Sequence, residues 1–155
     1  MAIRNIREMG DEVLRKHCKP VKEMTPRLRG IIEDMFETMY EAYGVGLAGP
    51  LVGVLIQIVV IDVAGERPLV LINPEILETD GSQTGSEGCL SVPGKHATVT
   101  RPNYVKVKAQ DINMNWFELE GTELLARAIC HECDHLEGIL YVDKKEGPLM
   151  DNEED

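Results

Sequence analysis

His131-Glu132-Cys133-Asp134-His135 sets two histidines four residues apart around a glutamate. On a helix this spacing lets both imidazoles reach one divalent cation, while the glutamate handles the proton of a water activated there. At about 100° per residue, Leu124 and Ala128 fall beside both histidines, and Leu125 and Ile129 extend the same apolar face. Glu132 lies inside that arc, where a carboxylate is costly to bury unless something charged answers it. A metal and its water would do so. The overlapping pair Cys130 and Cys133 projects away from the histidines and reads as packing thiols rather than co-ligands. Two histidines leave the site short of a third protein ligand, and Cys89 in Glu87-Gly88-Cys89-Leu90-Ser91 is the natural candidate. The glycine before it lets backbone approach a ligand closely, and the Leu90 N–H after it can face a developing oxyanion.

These residues need elements to hold them. Thr122 is placed to cap a last helix running to about residue 137, with Gly138 as its stop. Thr25 caps an earlier helix that opens on Pro26, with Leu28, Ile31, Ile32, Met35, Met39 and Ala42 at helical spacing until Gly44. Asp11 caps a shorter helix through Cys18, ended by Lys19-Pro20. The β-branched run at residues 54–63 reads as a central strand, and Leu69, Val70, Leu71 and Ile72 and the alternating Val105, Val107 and Ala109 as further strands. Residues 79–88, rich in Gly, Ser and Thr, read as a loop. The order predicts an α+β fold: small mixed or antiparallel sheets packed around a central C-terminal HExxH helix, with two N-terminal helices. Residues 1–150 are expected to form one domain, and residues 151–155 an acidic, frayed tail.

Composition narrows the function. The chain has 155 residues, 43% hydrophobic and 28% charged, with a formal net charge of −11. An acidic surface disfavours both the phosphate backbone and anionic lipid, so neither DNA nor a membrane is expected as a partner. The most apolar stretch is far shorter than the roughly 20 residues that span a bilayer. Residues 1–7 carry two arginines without an apolar run behind them, which argues against a secretory signal and for the cytoplasm. Four thiols kept reduced there read as ligands or reactive groups before disulfides.

Three ordered blocks resemble the peptide deformylase family: the Gly-rich Gly44-Val45-Gly46-Leu47-Ala48-Gly49-Pro50-Leu51-Val52-Gly53, the EGCLS of Glu87 to Ser91, and the QHExDHLxG of Cys130 to Gly138, with Cys130 in place of the usual Gln. The resemblance spans the chain from Asp11 onward. It implies that Cys89, His131 and His135 bind one divalent metal, Fe2+ in the cell, with Zn2+, Ni2+ or Co2+ able to replace it. It implies that Glu132 activates water and then protonates the departing amine, with Leu90 donating to the oxyanion. The substrate would be the N-formylmethionyl end of nascent polypeptides, met at the ribosome exit region in a bacterial-type cytoplasm, and the product formate. Val45, Gly46 and Gly88 would align the peptide as an added strand, Leu124 and Ala128 would line the methionine pocket, and Glu87, the family's EGCLS acid, is counted with these substrate-binding residues. Arg101 is expected to pair with Asp134.

Two departures matter. The family's first block ends in a Gln whose amide helps stabilise the oxyanion, and Leu51 stands there, unable to donate. Gly49 stands where Ala is usual, adding backbone freedom beside Pro50. Leu51 therefore implies reduced activity, and a deformylase-like protein with lost or altered activity is the alternative. An HExxH metallopeptidase is a further reading, opposed by the Cys89 thiolate. Gly44, Gly46 and Gly49 with Asp62 also imitate a dinucleotide fingerprint, but a helix precedes them and no room follows for a crossover helix.

Overall fold

A computed structural model describes residues 2–63 and 67–152. Its two α-helices are Pro26–Glu41 (α1) and Glu123–His135 (α2). The strands are Gly46–Ala48 (β1), Ile58–Ile61 (β2), Leu69–Asp80 (β3), Gln83–Cys89 (β4), Val92–Arg101 (β5), Tyr104–Gln110 (β6), Trp116–Thr122 (β7) and Glu146–Asp151 (β8). They form a five-stranded sheet ordered β1-β2-β3-β6-β7 and a three-stranded sheet ordered β4-β5-β8. Every strand pairing is antiparallel. The α+β expectation holds, with α2 packed against β1, β2, β6 and β7 of the larger sheet and β5 of the smaller.

The elements follow from their residues. Thr25 caps α1 by accepting from the Leu28 N–H at 3.1 Å, with Pro26 in the first turn. Ile32, Met35 and Met39 on its inner face are buried against the sheet. In β6, Val105, Val107 and Ala109 point inward with no exposure, while Lys106 and Lys108 face out opposite Glu120 and Glu118 of β7. Alternation here decides which face is wet. The apolar β2 is buried along its whole length between β1 and β3, as an interior strand must be.

Several boundaries differ from expectation. Residues 79–88 are not a loop: β3 continues to Asp80 and β4 begins at Gln83. The small polar residues of β4 carry no apolar alternation, yet their backbone is paired along β5 from Gln83↔Arg101 to Cys89↔Val92. The first N-terminal helix is only a 3-10 turn, Glu12–Arg15, although Asp11 does cap it through the Val13 N–H. Residues 54–57 precede β2 rather than belong to it. Thr122 occupies the N-cap of α2 but makes no side-chain cap bond. Of the tail expected over residues 151–155, Asp151 ends β8 and pairs with Lys95, and residues 153–155 lie outside the described residues.

Ahead of the first turn, an extended segment straps the molecule together. The Ala2 N–H donates to Asp34 at 2.7 Å and the Arg4 N–H to the Thr38 hydroxyl at 2.9 Å, both on α1. Further on, the Arg7 N–H donates to the Leu51 carbonyl and the Met9 N–H to the Ser91 carbonyl, each at 2.7 Å. Three parts of the chain, α1, the turn holding Leu51 and the turn holding Ser91, are thus held by one strap.

The stop of α2 is steric as well as conformational. Gly138 has φ +78°, and a Cβ there would lie 2.5 Å from the Arg15 carbonyl oxygen. Gly138→Ala should therefore lower stability by about 1–3 kcal/mol, read as a lower urea midpoint at unchanged slope.

Candidate active site

Helix α2 carries His131, Glu132 and His135 on the face turned to the gap between the sheets, and all three are buried. Cys89 ends β4, just before a two-residue turn into β5. Antiparallel pairing of those strands brings the thiol to the helix. The Cys89 sulfur lies 3.3 Å from His135 Nε2, which lies 3.2 Å from His131 Nε2. The three donor atoms fall within 4.8 Å of one another. A soft thiolate and two imidazoles so gathered suit a divalent transition ion.

The first histidine is fixed from behind. Glu87, on β4, accepts from His131 Nδ1 at 2.6 Å, so Nε2 is the atom left for the cluster. Arg101 of β5 forks onto the same carboxylate through Nε at 3.1 Å and Nη2 at 2.6 Å, and Arg127 of α2 adds Nη1 at 2.7 Å. Arg101 also reaches Asp134 at 2.6 Å, so the expected pair is present and belongs to a larger network. Burial opposes charge on Glu87, but His131 and Arg101 outweigh it and hold the carboxyl well below the usual carboxylate range. The ring of Tyr141 stacks beside His131, 6.1 Å between centroids.

Glu132 is placed differently. Its Oε1 is buried without a hydrogen-bond partner, and Oε2 is 4.0 Å from His131 Nε2. Burial pushes its pKa up to about 7, against the lowering pull of His131. Burial, and then the charge of His131, pushes the pKa of His135 down to about 3, leaving a neutral imidazole at ordinary pH. An unpaired carboxylate beside a gathered ligand set fits a bound ion with its water, which would answer the orphaned oxygen. Gly46 makes the approach possible, since a Cβ there would sit 2.7 Å from Glu132 Oε2.

A cavity of about 600 Å³ opens onto these groups. Val45, Gly46, Glu87, Gly88, Leu124 and Ala128, the expected peptide contacts, all line it, as do Leu90 and Leu51. Leu51 is buried in a 3-10 turn, Gly49–Val52. Gly49 owes its place to space rather than to freedom: a Cβ there would lie 2.5 Å from the Val54 carbonyl oxygen. The dinucleotide reading fails, because β1 and this short turn follow Gly44 where a crossover helix would be needed. Cys130 and Cys133 stay outside the ligand cluster. Burial raises the pKa of Cys130 to about 11 and that of Cys133 further, as befits inert packing thiols.

Sequence reasoning missed Arg127, Ser91, Tyr141 and the strap residue Ile6, which also lines the cavity. Arg127 had a signal: it lies one helical turn before His131, bordering the buried face, where an arginine requires an acid. Glu87→Gln would leave Arg101 and Arg127 buried with their shared charge gone. The variant should lose about 3–5 kcal/mol of stability, measured by denaturant unfolding of the metal-free protein.

Comparison with known proteins gives a consistent result. The family described as Polypeptide deformylase matches residues 3–150. The chain is 64% identical to a peptide deformylase of Agathobacter rectalis over 151 residues, which is 97% of this chain and 95% of that protein. It is 62% identical to one of Lachnoclostridium phytofermentans over 151 residues, 96% of this chain and 93% of that protein. Among solved structures, the peptide deformylase of Thermotoga maritima superposes with a TM-score of 0.90 at 42% identity, covering 94% of this chain and 99% of that one. A peptide deformylase from Synechococcus elongatus in complex with actinonin matches with a TM-score of 0.88 at 45% identity, covering 91% of this chain and 79% of the other.

Proposed function

The chain belongs to the polypeptide deformylase family, and from that premise we propose that it hydrolyses the N-formyl group from the terminal methionine of nascent polypeptides, releasing formate. The observation that carries this reading is the Cys89, His131 and His135 cluster beside a buried, unpartnered Glu132 at the floor of a peptide-sized cavity. Cys89, His131 and His135 would hold the ion. When bound, a divalent metal supplies Lewis acidity to the formyl oxygen and to the attacking water.

The rest is work for the chain's own groups. Glu132 takes a proton from water as it attacks the formyl carbon, then returns it to the departing methionine nitrogen. Its burial favours this exchange by keeping the carboxyl's affinity for a proton close to neutrality. The Leu90 N–H donates to the carbonyl oxygen as charge gathers there. Backbone of Val45, Gly46 and Gly88 takes the peptide as an added strand, while Leu124 and Ala128 receive the methionine side chain. Glu87 keeps His131 oriented throughout. One domain over residues 1–150 carries the whole site, consistent with a single core cluster shared by both sheets.

Ferrous iron is the ion we assign for the cell, on resemblance, with Zn2+, Ni2+ and Co2+ suited to the same donors. The cytoplasm is the proposed location and the ribosome exit region the proposed meeting place, because formylated chain ends emerge there. No helix among the described residues is long and apolar enough to cross a membrane.

Loss of metal and loss of proton transfer separate cleanly. Cys89→Ala should empty the site on elemental analysis of protein purified without oxygen. Glu132→Ala should keep about one ion per chain yet abolish most hydrolysis of a formyl-methionyl peptide. Full occupancy in the cysteine variant, or metal loss in the glutamate variant, would reverse these roles.

Leu51 favours a second reading, a protein with weakened or altered activity, because the cavity lacks a side-chain donor at that position. One missing oxyanion donor costs about 10²–10³ in kcat. Leu51→Gln should recover much of that and change KM little. The single substitution is the proper test, since an alanine at position 49 would collide with the Val54 carbonyl. No gain in metal-replete protein favours the altered-activity reading.

A further inference from the structure

Ser91 plays no part in the chemistry assigned so far, yet it touches a ligand. It is the second residue of the two-residue turn that joins β4 to β5, in the register Cys89↔Val92. The side chain is fully buried, and its hydroxyl lies 3.0 Å from the Cys89 sulfur. Among the described residues, no other side-chain hydrogen bond is made by this hydroxyl. Water does not compete for it at zero exposure. The turn itself is anchored, because the Ser91 carbonyl accepts the Met9 N–H at 2.7 Å.

The direction of this contact depends on the state of the sulfur. A serine hydroxyl holds one proton and two acceptor lone pairs. With Cys89 as a thiol, either atom can donate. Once the sulfur is a metal-bound thiolate it has no proton left, and only the hydroxyl can donate. A bond from a neutral donor to an anion is shorter and stronger than a neutral one. It also draws charge from the sulfur, and groups bonded to a ligand in this way tune the metal behind it.

We propose that Ser91 is a positioning residue that donates its hydroxyl proton to the Cys89 thiolate, fixing the sulfur's orientation and tempering the charge it passes to the metal. The ion is thereby left more electron-poor, and a better polariser of the formyl oxygen. This inference rests on the reading of Cys89 as a metal ligand, and the test must separate the two.

Cobalt serves as the probe, since a sulfur-to-cobalt charge-transfer band in the near ultraviolet reports the thiolate directly. A wild-type protein that binds cobalt without such a band would overturn the ligand reading of Cys89, and this inference with it. With the band present in wild type, Ser91→Ala should move it to longer wavelength at one cobalt per chain, because an unbonded sulfur gives up charge more easily. Ser91→Thr, which keeps the hydroxyl, should restore the wild-type position. The alanine variant should also lose about 10–100-fold in kcat. An unmoved band in folded, fully loaded Ser91→Ala would sink the proposal while leaving Cys89 as ligand. If the alanine variant does not fold, proton NMR of the cadmium-loaded wild type decides. A Ser91 hydroxyl proton protected from exchange and coupled to cadmium supports the bond, and one that exchanges as a free serine overturns it.

Discussion

One carboxylate holds the site together. Glu87 takes hydrogen bonds from Arg101, Arg127 and His131 at once, and it is buried with all three. Because those partners come from β5 and α2, a single group on β4 welds the small sheet to the central helix. It also decides which nitrogen of His131 is free. Burying these charges is costly, and the expense is offset only while every partner is in place. The network therefore acts as a check on assembly: strands and helix in register give a ligand set, and any slip leaves bare charges in the core.

The two glutamates beside the histidines show how environment divides like residues into unlike tasks. Glu87 is surrounded by cations and stays charged, fit to orient and unfit to exchange protons. Glu132 is buried with no hydrogen-bond partner for one oxygen, and its affinity for a proton rises toward neutrality. Nothing in the side chains distinguishes them. The difference lies in what the fold puts next to each, arginines for one and the bare backbone of Gly46 for the other.

Much of this was legible in the chain of letters, and unevenly so. Helix α2 and its ligand pair could be read because helical spacing is local: residues four apart must share a face. Cys89 was legible from its neighbours, and β6 from alternation. Strand β4 was not, since Gln83-Thr84-Gly85-Ser86 has no apolar face to announce a strand, and its order comes from backbone pairing with β5. The steric reason for Gly49 was hidden for a related cause, because carbonyl oxygens from a later turn crowd it. The N-terminal strap was invisible, because four of its bonds are given by backbone N–H groups, which every residue but proline possesses.

That strap sets an order of events in the making of the protein. Residues 2–9 leave the ribosome before the groups they fasten, which lie at positions 34, 38, 51 and 91. This segment must wait, unpaired, for each of these to appear. The metal ligands at 131 and 135 come later still, and their orienting acid Glu87 cannot be satisfied before Arg101 and Arg127 exist. Translation thus delivers the fastener before anything it fastens. Completion of the site is deferred until α2 has been made, so a nascent fragment ending before α2 carries Cys89 but no nest for an ion.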